Sequence, residues 1–293
     1  MPTAILIAFE YRAKPLPGAI IDLYHAWNWC KSFECHVCVI TDITGPTNVN
    51  NLHDAIARGI AEPDVLTFYD NMPKIIVGDD INFLHSIDLS LERQITDNKL
   101  VIYYSGHGIK NAMVLPDGKQ ISFLEFRDYI LNNISPNVEI FWILDCCNPN
   151  GLHLPCKLVG NKFEILTTDV EYVAQPILLL TSAEPYEKSI ATPTGSVFTR
   201  HLFRILTLMN YDDNVVTVKA KTAHVPHQKN RNLRRLMGNL MTHIRGMDTG
   251  HIQTVSIYAS YIMDPVLWMW VGSNRTYNLS VHRGLSAIII RRQ

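Results

Sequence analysis

The chain alternates between short apolar runs and longer segments whose apolar residues recur every three or four positions. Short runs rich in β-branched and aromatic residues are typical of buried strands, whereas the wider spacing is typical of amphipathic helices. The pattern predicts strands at 3–9, 36–41, 65–69, 99–104, 138–144, 176–182 and 253–258, and helices at 18–32, 50–60, 80–95, 122–132, 197–209 and 230–245. Alternating strands and helices favour a three-layer α/β/α fold with a mostly parallel central sheet.

Two local signals refine this order of elements. Leu115-Pro-Asp-Gly118 contains the turn residues Pro and Asp-Gly and predicts a hairpin. Ser122, followed three residues later by Glu125, has the spacing of a capping box. We therefore expect a helix to begin directly after Ser122.

Two of the predicted strands end in reactive side chains. The strand at 99–104 is followed by Ser105-Gly-His-Gly108, and the strand at 138–144 is followed by Asp145-Cys-Cys147. The carboxyl ends of parallel strands meet at one edge of a sheet, where open α/β folds place their ligand crevice. A cysteine and a histidine brought together there have the arrangement of nucleophilic catalysis by a thiolate. The alternative is that these free cysteines only fill space in the core.

Of the two cysteines, Cys147 is the predicted nucleophile. Side chains two positions apart in an extended segment share a face, so Cys147 lies on the side of Asp145 and Cys146 points away. His107 would accept the thiol proton and later protonate the departing amine. The backbone N–H groups of Gly108 and Cys147 are the predicted oxyanion donors, because glycine allows close approach to the developing charge.

These motifs resemble those of a known group of proteins. Tyr-Tyr-Ser-Gly-His-Gly at 103–108 and Ile-Leu-Asp-Cys-Cys at 143–147 are similar to the histidine and cysteine motifs of the caspase-like clan, and specifically of metacaspases. Leu16-Pro-Gly-Ala-Ile-Ile-Asp22 resembles the first-helix signature of metacaspases, with Ala19 and Ile21 in place of its cysteine and asparagine. Segments 180–189 and 195–199 resemble a later loop and helix of the clan. The resemblance implies a caspase-like fold and a cysteine endopeptidase.

The resemblance also implies a substrate pocket formed by Asp22, Ser105 and Asp145. Guanidinium and ammonium groups carry only hydrogen-bond donors, so two carboxylates and a hydroxyl suit a protein or peptide substrate with arginine or lysine before the cleaved bond. Glu187, and less closely Glu184, falls where metacaspases contribute a further acidic residue to the pocket. An alternative interpretation of Asp22 is a solvated residue in the first turns of a helix, where the helix dipole favours negative charge.

Two departures from the metacaspase pattern affect the expected activity. Asn148-Pro-Asn-Gly151 replaces the His-Ser-Gly that follows the family's cysteine, which supports the alternative of an inactive caspase-like homologue that binds partners as a scaffold. Many metacaspases bind calcium through an acidic insert after the histidine motif, but residues 109–120 contain only Asp117. One carboxylate does not satisfy an ion that takes six to eight oxygen ligands. We expect no metal, no cofactor and calcium-independent activity.

Composition mainly excludes some classes of partner and location. The formal net charge of −1 gives no overall attraction to nucleic acid or to a membrane surface. No apolar run reaches the roughly 18–20 residues that span a bilayer, and no signal peptide is evident. Six cysteines fit a reducing compartment, so a cytoplasmic location is expected. Cys35-His-Val-Cys38 is a C-x-x-C motif that suggests zinc or redox function, but no second pair follows it.

We expect a single caspase-like catalytic domain over 1–293, without a prodomain and monomeric. Its divisions are a large-subunit-like part at 1–150, a linker loop at 151–175 and a small-subunit-like part at 176–293. Within the linker, Lys157 and Lys162 are sites of self-cleavage if specificity is basic, and solvated surface charges otherwise. The basic helix at 229–245 carries an apolar stripe, which favours packing on its own domain over binding to a membrane or nucleic acid.

Overall fold

A computed structural model of the chain describes residues 1–45, 49–77, 83–92, 98–160, 162–166, 173–207, 233–245 and 253–261. The strands are β1 (Thr3–Ala8), β2 (His36–Thr41), β3 (Lys74–Ile76), β4 (Lys99–Ser105), β5 (Gly108–Ile109), β6 (Ala112–Val114), β7 (Gln120–Ser122), β8 (Glu139–Asp145), β9 (Cys156–Val159), β10 (Lys162–Ile165), β11 (Ile177–Thr181), β12 (Ala191–Thr192), β13 (Gly195–Ser196) and β14 (Ser256–Ala259). The helices are α1 (Ala19–Lys31), α2 (Val49–Ala57), α3 (Val65–Asn71), α4 (Phe83–Glu92), α5 (Phe123–Asn132), α6 (197–207) and α7 (Leu233–Arg245). The predicted ends of the helices at 80–95 and 197–209 and the start of that at 230–245 lie outside the described residues.

Nine strands of the described chain form one sheet, in the order β10-β9-β14-β11-β8-β4-β1-β2-β3. The six strands from β11 to β3 pair in parallel. Strand β14 runs antiparallel to both β11 and β9, and β10 runs antiparallel to β9. The predicted, mostly parallel sheet is therefore confirmed, and antiparallel pairing is confined to one side of it.

Alternating side chains of the central strands face two separate cores. Val101 and Tyr103 of β4 pack in the first core with α1 and α6, whereas Ile102 and Tyr104 pack in the second core with α4 and α5. This period of two is what a strand covered on both faces requires. The predicted α/β/α layering follows from it.

The apolar stripe of the basic helix packs on its own domain. Leu236, Leu240 and Ile244 of α7 are buried in the first core. Among the described helices, none combines the length and the apolar character that crossing a bilayer demands.

One predicted strand is a helix. Residues 65–69 fall in α3, where Val65, Phe68 and Tyr69 are buried against the first core. Their spacing of three and four places them on one helical face, which outweighs the strand preference of β-branched and aromatic residues. The short strand β3, which pairs with the end of β2, is not predicted by the pattern.

The predicted linker loop contains two strands of the central sheet. Lys157 lies in β9, where its Nζ is 2.5 Å from Glu184 Oε1 and 5.5 Å from the centre of the Tyr258 ring. A lysine held in a paired strand is a poor cleavage site, because a protease requires an accessible, extended chain. Lys162, at the start of β10, has an exposed side chain.

The predicted capping of α5 at Ser122 is confirmed. Ser122 has an extended backbone, and its Oγ accepts a hydrogen bond from the Glu125 backbone N–H at 3.0 Å. The hairpin before it, β6–β7, turns at Leu115–Gly118 as expected, with Gly118 at φ +84°.

We expect Ser122→Ala to lower the free energy of unfolding by about 1 kcal/mol, because the amide at Glu125 loses its acceptor. The shift in the urea midpoint, followed by circular dichroism, measures this. Ser135→Ala is the control, since the Ser135 Oγ accepts only a long contact of 3.4 Å from an exposed turn. Equal midpoints for the two variants would contradict the expectation.

Candidate active site

The carboxyl ends of β4 and β8 lie side by side. The two strands pair in parallel, with Ser105 directly opposite Asp145, and the Gly106 N–H donates to the Asp145 carbonyl oxygen at 3.2 Å. The histidine and cysteine motifs that follow these strands therefore emerge at the same point of the sheet. The two motifs are therefore neighbours at this edge of the sheet.

A cleft at this edge is lined by residues of both motifs and of the helix and loops around them. His107 and Cys147 line it, and so do Asp22, Ser105 and Asp145. The structure thus brings together five of the predicted site residues. Ser189, Thr192 and Ser196, which the sequence analysis did not single out, complete its polar wall.

The imidazole of His107 is held by the segment after β1. Its Nε2 lies 2.7 Å from the backbone oxygen of Lys14, and its ring packs against Tyr11 with the ring centres 4.5 Å apart. Because a carbonyl oxygen can only accept, Nε2 carries the hydrogen. In the neutral imidazole, Nδ1 is therefore the nitrogen that can accept a proton.

The two adjacent cysteines lie in different environments. Cys146 is 2% exposed and packs in the second core, where burial raises the pKa of its thiol well above the ordinary value. Cys147 is only partly buried, and its Sγ lies 3.9 Å from the Ser189 carbonyl oxygen. Cys147 is thus the more accessible thiol.

Gly108 lies against the backbone of Cys147. A Cβ built at Gly108 would be 2.0 Å from the Cys147 carbonyl oxygen, which no side chain tolerates. Position 108 therefore requires glycine, because the backbones of the two motifs approach each other closely there.

Each carboxylate oxygen of Asp145 accepts a hydrogen bond from a hydroxyl donor. Ser189 Oγ donates to Oδ1 and Thr199 Oγ1 donates to Oδ2, both at 2.6 Å. The Thr199 hydroxyl also lies 2.8 Å from the Tyr103 hydroxyl. Asp145 is buried, so these hydrogen bonds replace the water that its charge has lost.

Asp22 is a buried carboxylate beside Asp145, and its interpretation as a solvated helix residue is wrong. It is 4% exposed, and it accepts hydrogen bonds from the Ser196 backbone N–H at 2.7 Å and the Ser105 hydroxyl at 3.1 Å. Burial, reinforced by repulsion from Asp145, raises the pKa of Asp22 well above its ordinary range. Gly195, at φ +101°, leaves room for Oδ1, because a Cβ there would lie 2.8 Å from it.

Glu187 does not lie at the cleft. Its carboxylate accepts hydrogen bonds from the backbone N–H groups of Glu184 and Thr254 and from the Thr254 hydroxyl, so it closes its own loop and joins it to the segment before β14. Glu184 is paired with Lys157 and with the Ser256 hydroxyl. The expected third acidic residue of the pocket is supplied by neither.

The loop after Cys147 forms a tight turn. Asn148, Leu152 and His153 all have left-handed backbone conformations, with φ between 52° and 54°. The Asn148 N–H donates to the Glu187 carbonyl oxygen at 2.9 Å, and the buried Arg127 donates from Nη1 to the Leu152 carbonyl oxygen at 3.2 Å. The altered sequence here is thus accommodated by hydrogen bonds at both ends of the loop.

No group of three or more His, Cys, Asp or Glu side chains is arranged to hold a metal ion among the residues that the structure describes. The C-x-x-C motif does not form a pair: Cys35 packs in the first core, whereas Cys38 Sγ lies 2.9 Å from Ser90 Oγ of α4, on the other side of the sheet. All six cysteines are free thiols.

Comparisons with known proteins identify the fold. No family model matches the sequence, and no curated protein matches it in sequence. The crystal structure of caspase-1 from Spodoptera frugiperda is similar, with a TM-score of 0.50, 13% identity and coverage of 90% of this chain and 86% of that chain. A crystal structure of a Geobacter sulfurreducens protein has a TM-score of 0.51, 12% identity and coverage of 90% and 95%. The α/β/α architecture is therefore caspase-like, as the motifs predicted, and identities this low establish the fold alone.

We expect Gly108→Ala to destabilise the protein by about 1–3 kcal/mol, because the added methyl group must displace the Cys147 backbone. The melting temperature measured by calorimetry tests this. Gly45→Ala is the control, because a Cβ built there meets no atom within 4 Å. Equal melting temperatures would show that the two motifs are not in contact.

We expect Asp22→Asn to stabilise the protein increasingly as pH rises from acid towards neutral. Since the pKa of Asp22 is raised in the folded state, wild type loses stability as this carboxyl ionises, and the amide does not ionise. The amide keeps the geometry, because its oxygen accepts from Ser196 and its nitrogen donates to Ser105. The difference in melting temperature between variant and wild type, measured from about pH 4 to 8, tests this. The exposed Asp54→Asn is the control, and a difference that falls with pH would contradict the assignment.

Proposed function

We propose that the chain is a cysteine endopeptidase that cleaves proteins or peptides after arginine or lysine, with a Cys147–His107 dyad. The observation that carries this proposal is the single cleft that joins an accessible thiol and an oriented histidine to two buried carboxylates. The caspase-like fold supports it, since it is shared with a caspase structure.

The dyad accounts for each proton in the reaction. His107 Nδ1 accepts the thiol proton of Cys147, and the sulfur attacks the carbonyl carbon of the scissile bond. The N–H groups of Gly108 and Cys147 stabilise the oxyanion, a pairing supported by the contact between their backbones. The imidazolium then protonates the leaving amine, and water hydrolyses the thioester with His107 as base.

The charge of the pocket supports a basic substrate residue. Asp22 and Asp145 repel each other in a buried site, and this repulsion contributes to the raised pKa of Asp22. A guanidinium or ammonium group placed between them relieves the repulsion and supplies donors to their remaining lone pairs. An acidic or apolar side chain would leave the two carboxylates uncompensated.

Further properties belong to the same proposal. The enzyme is metacaspase-like and calcium-independent, supported by Asp117, which forms an ion pair with Lys119 at 2.8 Å instead of joining other carboxylates. It works in the cytoplasm, supported by the six free thiols. It is a monomer, supported by the charged Lys162 and Glu164 of β10, which discourage pairing at that edge of the sheet.

Hydrolysis of fluorogenic peptides that end in arginine, lysine or aspartate before the reporter tests the function. We expect cleavage of the arginine and lysine peptides, unaffected by a calcium chelator, and none of the aspartate peptide. Cys147→Ala lowers the rate roughly a thousandfold or more, whereas Cys146→Ala retains most of it because that thiol is buried.

The outcome also distinguishes the alternative. Equal hydrolysis by wild type and Cys147→Ala would favour an inactive caspase-like homologue that acts as a binding scaffold. Cleavage of the aspartate peptide alone would refute the role of the two pocket carboxylates. Loss of activity on calcium chelation would refute calcium independence without affecting the dyad.

A further inference from the structure

Two tyrosine hydroxyls form hydrogen bonds with the backbone of His107. The His107 N–H donates to the Tyr11 hydroxyl at 2.8 Å, and the Tyr104 hydroxyl donates to the His107 carbonyl oxygen at 2.8 Å. We propose that Tyr11, supported by Tyr104, is a positioning residue that sets the orientation of the His107 imidazole. This inference rests on the proposed function in that it takes His107 as the base of the dyad.

One assignment of the hydroxyl hydrogens satisfies both contacts to His107, with neither hydroxyl donating to the other across the 3.1 Å between the Tyr11 and Tyr104 oxygens. Each tyrosine has one hydroxyl hydrogen, and Tyr11 gives its hydrogen to the Val114 carbonyl oxygen at 2.7 Å, which leaves its oxygen to accept from His107. Tyr104 gives its hydrogen to His107, whose carbonyl also accepts from the Val114 N–H at 3.0 Å. Burial raises the pKa of both tyrosines, so both hydroxyls stay protonated where an imidazole titrates.

The absence of a side chain at Gly106 allows the two tyrosine hydroxyls to approach the backbone of His107. A Cβ at this position would lie 2.5 Å from the Tyr11 oxygen and 2.6 Å from the Tyr104 oxygen. The residue before His107 must therefore lack a side chain if the two hydroxyls are to reach the backbone. Any larger residue at position 106 would displace both hydroxyls, so these contacts depend on the glycine.

Tyr11 is itself held in an unusual conformation. Its backbone is left-handed, with φ +60°, which is uncommon for a large residue. The carboxylate of Asp42 stabilises it by accepting from the Glu10 N–H at 2.7 Å and the Tyr11 N–H at 2.9 Å. In this conformation the Tyr11 ring packs edge-on against Phe9 and in a tilted arrangement against His107.

The same segment controls the ring of His107. Tyr11 contacts one face of the imidazole, and three residues later the Lys14 carbonyl oxygen accepts from Nε2. Residues 11–14 therefore hold the backbone, one ring face and one ring nitrogen of His107. Of the two ring nitrogens, Nδ1 is the one that this segment does not hold, and it is the nitrogen that the proposed dyad uses.

Kinetics of Tyr11→Phe test the proposal while the ring is kept. We expect kcat for an arginine peptide to fall roughly tenfold or more with KM within about twofold, because the His107 N–H loses its acceptor and the imidazole is misaligned. Tyr104→Phe has a smaller effect, since the Val114 N–H still holds the His107 carbonyl. Tyr129→Phe is the matched control: it removes a hydroxyl hydrogen bond to Asp88 on α4, and kcat stays unchanged.

A measurement independent of activity accompanies the kinetics. The nitrogen chemical shifts of 15N-labelled histidine, assigned by comparison with His107→Gln, report which ring nitrogen of His107 carries the hydrogen. We expect the Nε2–H form alone in wild type and Tyr129→Phe. We expect a mixture of both forms in Tyr11→Phe, because the ring loses its fixed contact with the Lys14 carbonyl.

The outcomes separate this proposal from the proposed function. An inactive wild type refutes the peptidase, and the histidine tautomers then decide the positioning role alone. Wild-type kcat and tautomer in Tyr11→Phe overturn the positioning role, as does a lower melting temperature with an unchanged tautomer. If Tyr11→Phe does not fold, Tyr104→Phe decides by the same two measurements: a smaller fall in kcat together with a mixture of tautomers supports the proposal, and wild-type kcat and tautomer together overturn it.

Discussion

The site depends on the register between β4 and β8. Ser105 lies opposite Asp145, so both strands end level, and His107 and Cys147, two residues further along each chain segment, line the same cleft. Because side chains alternate between faces, a slip of one residue would turn Asp145 into the core of α4 and α5 and bring the neighbouring apolar residue to the cleft. Seven paired residues, almost all buried, maintain this register along the full length of both strands.

Burying the two charged groups of the pocket is unfavourable for folding. Two carboxylates, Asp22 and Asp145, are buried together, and donors from β4, β13, α6 and the loop after β11 compensate for their lost hydration. Such a site costs stability, because part of the repulsion between the two carboxylates remains.

The sequence predicted most of the fold, because long apolar runs bounded by polar residues leave little ambiguity about buried strands. It predicted from strand order that His107 and Cys147 lie close together, and both residues line the same cleft of the structure. The interpretation of 65–69 as a strand was wrong, since periodicity over five residues does not separate a strand from a short helix. The β9–β10 hairpin was missed although Gly160-Asn161 between two apolar segments is a two-residue turn signal.

Individual contacts of the site were beyond sequence reasoning. Ser189 and Thr199 reach Asp145 from separate elements, and no spacing in the chain links a hydroxyl to a particular distant carboxylate. The same limit explains Glu187, whose position in the motif suggested the pocket but whose carboxylate accepts a hydrogen bond from the backbone N–H of Thr254.

Strand β14 lies between β11 and β9 in the sheet, and this position affects the order in which the strands can pair during synthesis. The hairpin of β9 and β10 reaches the rest of the sheet only through β14, so it takes its place in the sheet only after residues 256–259 have been synthesised.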